Sequence, residues 1–128
     1  GTKTRYSFGD ENSKLEEYAW YKQNAGEETH PVGQKKPNLW GLYDMHGNVW
    51  EWVQDPRHKN YEGAPSDGSV WKNGGIKNKM VRGGSWFDAA NLCRSSSRTS
   101  KSPKSPQKRE SDKPEEGYNL GFRLLREV

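Results

Sequence analysis

The stretch that decides the fold is NLWGLYDMHGNVWEW, residues 38–52 of a chain of 128 residues. It holds three of the six tryptophans, and a Gly-Asn pair in its middle is typical of a tight turn. After that pair, residues 48–53 are predicted to form a strand, because Trp50 and Trp52 alternate with less aromatic residues. The segment therefore predicts a turn that leads into a strand with one aromatic face.

The composition of the whole chain fits a core of aromatic rings. Only 17 of the 128 residues are Leu, Val, Ile or Phe, a proportion typical of disordered chains. However, the net charge is only +4, and there are six Trp, six Tyr and three Phe. Each buried ring removes on the order of 150–250 Å² from water, so rings can replace an aliphatic core. We expect one folded, loop-rich domain over residues 1–128, centred on tryptophan.

The other elements are predicted to be short. Residues 15–20 favour one turn of helix, and residues 54–79 form a long loop with Pro and Gly. Two further strand segments are expected at residues 79–82 and 85–87, interrupted by Gly83-Gly84, and a closing strand is expected at residues 120–125. The predicted class is α+β, with short antiparallel strands and little helix.

Several function classes are disfavoured by the sequence. No apolar run approaches the roughly 18 residues of a membrane span, and the mean hydropathy is −1.28. A single cysteine excludes an internal disulfide and a Cys-rich zinc site. The histidines, at positions 30, 46 and 58, show no zinc-binding spacing, and the glycines form no phosphate-binding motif.

The positive charge is concentrated in one segment. Residues 94–113 hold seven basic and two acidic residues, whereas the rest of the chain is close to neutral. Residues 95–117 are predicted to be a basic surface loop, because serine, proline and lysine dominate them. A solvated loop of this kind is a weak indication of nucleic acid binding, so nucleic acid is not the expected partner.

Asp44 and Glu51 flank the Gly-Asn turn and are candidate cation ligands. Calcium binds carboxylates together with backbone carbonyls of irregular chain, which a tight turn supplies. The spacing alone leaves two interpretations open. Either the two carboxylates share a cation, or Asp44 caps a turn and Glu51 forms an ion pair.

Three motifs in register resemble a known family. They are residues 38–52, VRGGSW at residues 81–86 and NLGFRL at residues 119–124, and YSFGDE at residues 6–11 fits the preceding segment. Together they resemble the formylglycine-generating-enzyme, or sulfatase-modifying factor, domain, which has a C-type-lectin-like fold. The resemblance implies the C-terminal portion of such a domain, with the N-terminal part of the family domain absent.

For the enzymes of this family, the resemblance implies oxidation of a substrate cysteine to formylglycine with O₂ and copper. Two thiols five residues apart hold Cu(I), in line with the preference of soft copper for thiolate. Counted from Gly83, these positions fall on Asp88 and Cys93. Counted back from the Arg94 and Arg98 pattern, Cys93 instead falls at a position common in non-oxidase relatives, and both registers leave at most one thiol. One thiolate cannot make a two-thiol site, so neither copper binding nor formylglycine-generating activity is expected. Cys93 is a catalytic candidate only if the chain is an oxidase.

The calcium pattern of the family transfers to this chain more completely. By resemblance, a structural calcium site uses the side chains of Asp44 and Glu51 with the carbonyls of Gly47 and Val49.

The leading functional hypothesis is a non-catalytic recognition module. Variable proteins of diversity-generating retroelements use this fold, and the region after the Gly-Gly motif, to bind ligands. The expected ligand is a protein, peptide or glycan, favoured to be acidic, and binding can require the N-terminal portion or a partner chain. The predicted ligand-binding residues are Trp86, Asn91, Arg94, Arg98, Lys101, Lys104, Lys108 and Arg109. The alternatives are a copper-dependent formylglycine-generating oxidase and the C-terminal part of a related sulfoxide synthase.

Overall fold

The computed structural model describes residues 2–73, 76–103 and 119–124. Loops and turns join the regular elements, which are short. In chain order these are a 3-10 turn at Asn12–Lys14, α1 at Leu15–Tyr18, β1 at Trp50–Arg57, β2 at Ile76–Arg82, a second 3-10 turn at Ala90–Leu92, β3 at Arg98–Lys101 and β4 at Leu120–Gly121. No helix in these ranges is both long and apolar enough to cross a bilayer.

The strands form a four-stranded sheet in the order β3-β2-β1-β4. β1 runs antiparallel to β2, and β2 runs antiparallel to β3. The register of β1 against β2 shifts on both sides of Pro56. Proline has no N–H to donate to a ladder, so an irregular position suits it. β4 pairs with the beginning of β1 in parallel, at Trp50 and Glu51.

Three of the four predicted strands are correct in place but not in extent. β1 continues to Arg57 and β2 begins at Ile76, so the loop predicted over residues 54–79 is shorter at both ends. The predicted strand at residues 85–87 is wrong, because Ser85 follows two glycines of positive φ and the chain turns there. The closing strand has two residues and is parallel rather than antiparallel.

Two further predictions concern the first helix and the basic segment. A turn of helix within residues 15–20 is confirmed at Leu15–Tyr18. The loop predicted over residues 95–117 is wrong for residues 98–101, which form β3 and pair with β2. The prediction for residues 104–117 lies outside the described residues.

The densest buried cluster contains more tyrosine than tryptophan. It consists of Tyr6, Leu15, Ala19, Tyr21 and Cys93, with Phe8 and Ala90 packed against it. The ring of Phe8 stacks between Tyr6 and Tyr18, with centroids 5.0 and 4.3 Å away. Of the tryptophans, Trp50 and Trp86 are buried, but Trp40 is 77% exposed. The expectation of a tryptophan-centred core is therefore only partly correct.

The turn at residues 46–48, called here the central turn, joins distant parts of the chain. Gly47 N donates to Gly83 O at 2.8 Å, and Asn48 N donates to Trp20 O at 2.7 Å. Asn48 O in turn accepts the N–H of Trp86 at 2.8 Å. Gly47 has a φ of +73°, and a Cβ there would lie 2.1 Å from the Trp20 carbonyl oxygen. Only glycine allows the two backbones to approach so closely.

Replacing Gly47 with alanine is expected to lower the free energy of unfolding by at least about 2 kcal/mol. The left-handed backbone alone costs an L-residue about 1–2 kcal/mol, and the new methyl also overlaps a backbone oxygen. Urea denaturation measures the loss. The matched control is Gly68→Ala, where φ is +82° and no atom lies within 4 Å of the added Cβ. Equal losses of unfolding free energy in the two variants would show that the close approach to Trp20 does not contribute to stability.

Candidate functional site

A cavity of about 600 Å³, called here the ligand cavity, lies between the beginning of β1, the second 3-10 turn and β3. Both polar and apolar groups form its wall. Its lining residues are Trp50, Asp88, Leu92, Arg94, Ser96, Ser97, Arg98, Thr99, Lys101 and Asn119.

One wall of the ligand cavity is fixed by a hydrogen-bonded group around Asp88. The indole Nε1 of Trp50 donates to the Asp88 carboxylate at 2.7 Å, and the hydroxyl of Ser85 donates to the same oxygen. Asn119 is buried, and its Nδ2 lies 3.4 Å from the Ser85 hydroxyl. Its Oδ1 accepts no hydrogen bond from any described residue. The wall therefore holds one carboxylate that is already engaged and one buried amide oxygen that has no partner among the described residues.

The opposite wall carries three cations. Arg94 Nε donates to the carbonyl of Asn91 at 2.7 Å. Arg98 lies on β3 and donates to a loop carbonyl, and Lys101 ends the same strand. Among the described lining residues these three cations outnumber the single carboxylate, Asp88, so their net charge is positive.

The structure brings together some of the eight predicted ligand-binding residues. Arg94, Arg98 and Lys101 line the ligand cavity. Asn91 lies beside it and holds Arg94 through its carbonyl, whereas Trp86 is only 5% exposed and does not line it. Lys104, Lys108 and Arg109 lie outside the described residues.

Seven lining residues are not among those predicted from the sequence: Trp50, Asp88, Leu92, Ser96, Ser97, Thr99 and Asn119. A usable signal was present, because Trp50 and Asn119 belong to two of the three motifs. These two motifs therefore meet in space at the wall of the ligand cavity.

The four predicted calcium ligands also lie together. Asp44, Gly47, Val49 and Glu51 line a second cavity of about 420 Å³, called here the loop cavity. Asp44 is 8% exposed, and its Oδ2 accepts the N–H of Gly33 at 2.8 Å. No described residue donates to its Oδ1, which is buried. An anionic oxygen in this state has lost water without gaining a partner, which is costly unless a cation or donor is supplied.

Glu51 is engaged by an arginine from the third motif. Arg123 donates to Oε1 and Oε2 of Glu51 at 2.6 and 2.7 Å, and to the Tyr43 carbonyl at 2.9 Å. The hydrogen bond to Glu51 raises the pKa of the Arg123 guanidinium. Glu51 therefore forms an ion pair, which is one of the two interpretations that the spacing of Asp44 and Glu51 left open. Asp44 bonds a separate loop at Gly33 rather than capping its own turn.

The described residues contain no group of three His, Cys, Asp or Glu side chains placed to share a metal ion. The predicted calcium site depends on two carboxylates and two carbonyls, so it stays a prediction.

Comparison with known proteins identifies the family. The model of the sulfatase-modifying factor enzyme 1-like domain matches residues 1–128. The chain belongs to this family. The resemblance inferred from the three motifs is thereby confirmed.

Solved structures with the same fold support the assignment. Treponema denticola variable protein 1 superimposes with a TM-score of 0.77 at 35% identity, covering 95% of this chain and 40% of its own. PvdO from Pseudomonas aeruginosa gives 0.66 at 37% identity, covering 83% of this chain and 38% of its own. The predicted class, a loop-rich α+β fold of the C-type-lectin-like type, is confirmed.

A relative among characterised proteins is the chaperone protein LppX of Paenibacillus barcinonensis. It is 38% identical, and the match covers 44% of this chain and 28% of LppX. The chain therefore spans less than half the length of each of these three proteins.

The environment of the single cysteine of the chain keeps its thiol unreactive. Cys93 is fully buried, and burial together with the nearby Asp88 charge raises the pKa of its thiol to about 12. The thiolate is the form that binds metal and attacks electrophiles, so this thiol is held in its inert form. Gly84 makes the packing possible, because a Cβ there would lie 2.8 Å from Sγ.

Cys93 is expected to react with iodoacetamide at least about 100-fold more slowly in the native protein than in guanidinium chloride, at about pH 8. Burial limits both access and thiolate formation. Mass spectrometry of timed samples measures the rates. The matched control is Ser95→Cys, which adds a thiol at an exposed neighbouring position and should be labelled rapidly in the native state. Similar native and denatured rates for Cys93 would contradict the buried, protonated thiol.

Proposed function

We propose that the chain is a non-catalytic recognition module of the sulfatase-modifying factor family. It binds an acidic protein, peptide or glycan in the ligand cavity. The observation that carries the proposal is the lining of this cavity, where Arg94, Arg98 and Lys101 face one carboxylate that is already hydrogen-bonded. A volume of about 600 Å³ lies within the usual range for ligand sites.

The chemistry of the lining supports an acidic ligand. Arg94 is held by the Asn91 carbonyl, so its guanidinium is oriented before a ligand arrives. Charge-assisted hydrogen bonds from arginine and lysine to carboxylate or phosphate are stronger than neutral ones. A ligand that carries carboxylate or phosphate groups therefore satisfies the cavity best.

The names of relatives agree with a binding role. One relative is called a variable protein and another a chaperone protein. A chaperone acts on other polypeptides, which favours a protein or peptide among the three ligand classes. Activities of the longer relatives belong to those proteins, and we infer only the binding role for this chain.

The alternative is an oxidase, either a copper-dependent formylglycine-generating enzyme or the C-terminal part of a sulfoxide synthase. The thiol of Cys93 argues against the copper enzyme, because it is buried and its raised pKa keeps it protonated, and because this sequence has no second cysteine to complete a two-thiol site. Aldehyde formation by copper-loaded protein on a Cys-x-Pro-x-Arg peptide would favour the oxidase over the recognition module.

The recognition proposal is tested with arrays of synthetic peptides and glycans that differ in acidity. Acidic members are expected to bind, and Arg94→Gln/Lys101→Gln should weaken their binding at least about tenfold, since each charge-assisted contact contributes on the order of 1.5–3 kcal/mol. Affinities are measured by biolayer interferometry.

The matched control is Lys3→Gln, which removes one exposed positive charge that lines none of the cavities described. It should bind like the parent protein. Equal weakening by the control, or no effect of the double variant, would contradict a role for the ligand cavity.

We further propose that the loop cavity holds a structural calcium ion. The side chains of Asp44 and Glu51 and the carbonyls of Gly47 and Val49 would hold it. The buried Oδ1 of Asp44 supports this, since it accepts no hydrogen bond from the described residues. Asp44, Gly47 and Asn48 all have positive φ, an irregular backbone of the kind that supplies carbonyls to calcium. Glu51 would share its carboxylate between Arg123 and the ion.

Calcium in excess is expected to raise the Tm by about 5 °C or more over EGTA, because a ligand that binds only the folded state stabilises it by mass action. Differential scanning fluorimetry measures the increment. In Asp44→Ala the increment should disappear, whereas Asp67→Ala, a change in an exposed loop, should keep it. An unchanged Tm of the parent protein in the two buffers would refute the calcium proposal.

A further inference from the structure

The ladder between β2 and β3 places positive charges directly opposite each other. Arg82 pairs with Arg98, and Lys79 pairs with Lys101. Like charges at opposed positions of an antiparallel pair repel each other and weaken the sheet. The three ion pairs formed within the described ranges all lie elsewhere. The ladder thus concentrates four positive charges on β2 and β3.

Two cavities adjoin β3. Lys101 lines the ligand cavity, and Arg98 and Thr99 line both that cavity and a neighbouring one of about 280 Å³, called here the strand-end pocket. Its lining residues are Arg57, His58, Lys59, Met80, Arg98, Thr99 and Ser100.

The lining of the strand-end pocket suits an anion. Its described lining residues include the cations Arg57, Lys59 and Arg98 and two residues with hydroxyls, and none of them carries a carboxylate. Met80 is buried and supplies an apolar contact. Arg57 ends β1, Lys59 follows in the next loop and Arg98 begins β3, so separate parts of the chain supply the cations. Several cations around one pocket suit a phosphate or sulfate group, whose oxygens accept from several donors at once.

The guanidinium of Arg98 is held in place before any ligand binds. It donates to the Lys59 carbonyl at 3.1 Å, and its central carbon lies 4.4 Å from the centroid of the Tyr61 ring. Arg82 donates to the Tyr61 hydroxyl at 2.9 Å and so fixes the ring from the next strand. A preformed donor loses little side-chain entropy when it binds.

His58 forms a second fixed part of the wall. Its ring stacks on Trp71 with the centroids 3.5 Å apart and an angle of 5° between the planes. The two ring nitrogens lie 3.0 Å from the Pro56 carbonyl and 2.7 Å from the Asn73 carbonyl. These contacts tie the chain between Arg57 and Lys59 to the neighbouring loop.

We infer that the strand-end pocket binds a tetrahedral oxyanion, the phosphate or sulfate group of a ligand. Arginine and lysine supply charge-assisted hydrogen bonds, and the hydroxyls of Thr99 and Ser100 supply neutral ones. The pocket adjoins the ligand cavity and shares Arg98 and Thr99 with it. Arg57 and Lys59 line only the strand-end pocket, whereas Arg94 and Lys101 line only the ligand cavity.

The test is an NMR titration of the full chain with inorganic phosphate and with sodium sulfate, at an ionic strength held constant with chloride. Saturable shifts are expected at the amides of residues 57–59 and 98–100. Arg57→Gln/Lys59→Gln should weaken binding at least about tenfold. The charge-retaining variant Arg57→Lys/Lys59→Arg should keep most of it, which separates loss of charge from loss of fold.

Further measurements identify which anionic group the pocket prefers and which residues bind it. A phosphate monoester and a sulfate ester of the same sugar show which of the two groups the pocket prefers. Lys3→Gln and Arg94→Gln/Lys101→Gln should both bind phosphate or sulfate like the parent protein. No saturable shift at residues 57–59 would overturn the inference. An equal loss of anion binding in Lys3→Gln would also overturn it. Loss of binding only in the Arg94/Lys101 variant would overturn it too, because it would place the anion in the ligand cavity, and it would leave the recognition proposal intact.

Discussion

The hydrogen bonds of the central turn are the constraint on which the remaining structure depends. His46 Nδ1 donates to the Cys93 carbonyl at 2.8 Å, and its Nε2 accepts the N–H of Ser7 at 3.2 Å. Burial lowers the pKa of the His46 imidazole, and the neutral ring with its proton on Nδ1 satisfies both contacts. The side chain of Asn48 meanwhile bonds both backbone groups of His30. A turn of three residues therefore holds three otherwise separate loops.

Both candidate sites inherit their geometry from this turn. The carbonyl of Asn48 fixes Trp86, and β1 begins two residues after the turn at Trp50. Trp50 then forms part of the ligand cavity through its bond to Asp88. On the other side, Gly47 and Asp44 border the loop cavity. A fold with so little regular structure can position a site accurately because buried polar bonds replace the long helices and strands of other folds.

The sequence was most informative where its chemistry is distinctive. The Gly-Asn turn, the strand after it and the convergence of Asp44 with Glu51 were all predictable, because glycine, aromatic residues and paired carboxylates have strong local preferences. β3 was not predictable, since Arg98–Lys101 contains no apolar residue and its pairing is decided by the neighbouring strand. The burial of individual tryptophans is not predictable from the sequence, because the 77% exposure of Trp40 and the burial of Trp86 depend on tertiary contacts alone.

The parallel pairing of β4 with β1 has a consequence for synthesis of the chain. Arg123 follows its partner Glu51 by 72 residues, and a ribosome adds roughly 5–20 residues per second. On the order of 4–14 s therefore pass between the synthesis of Glu51 and that of its counter-ion. During this interval β1 has one edge without β4, and exposed strand edges are prone to pair with other chains. The loop cavity is thus the last part of the fold to be completed, after the third motif has emerged.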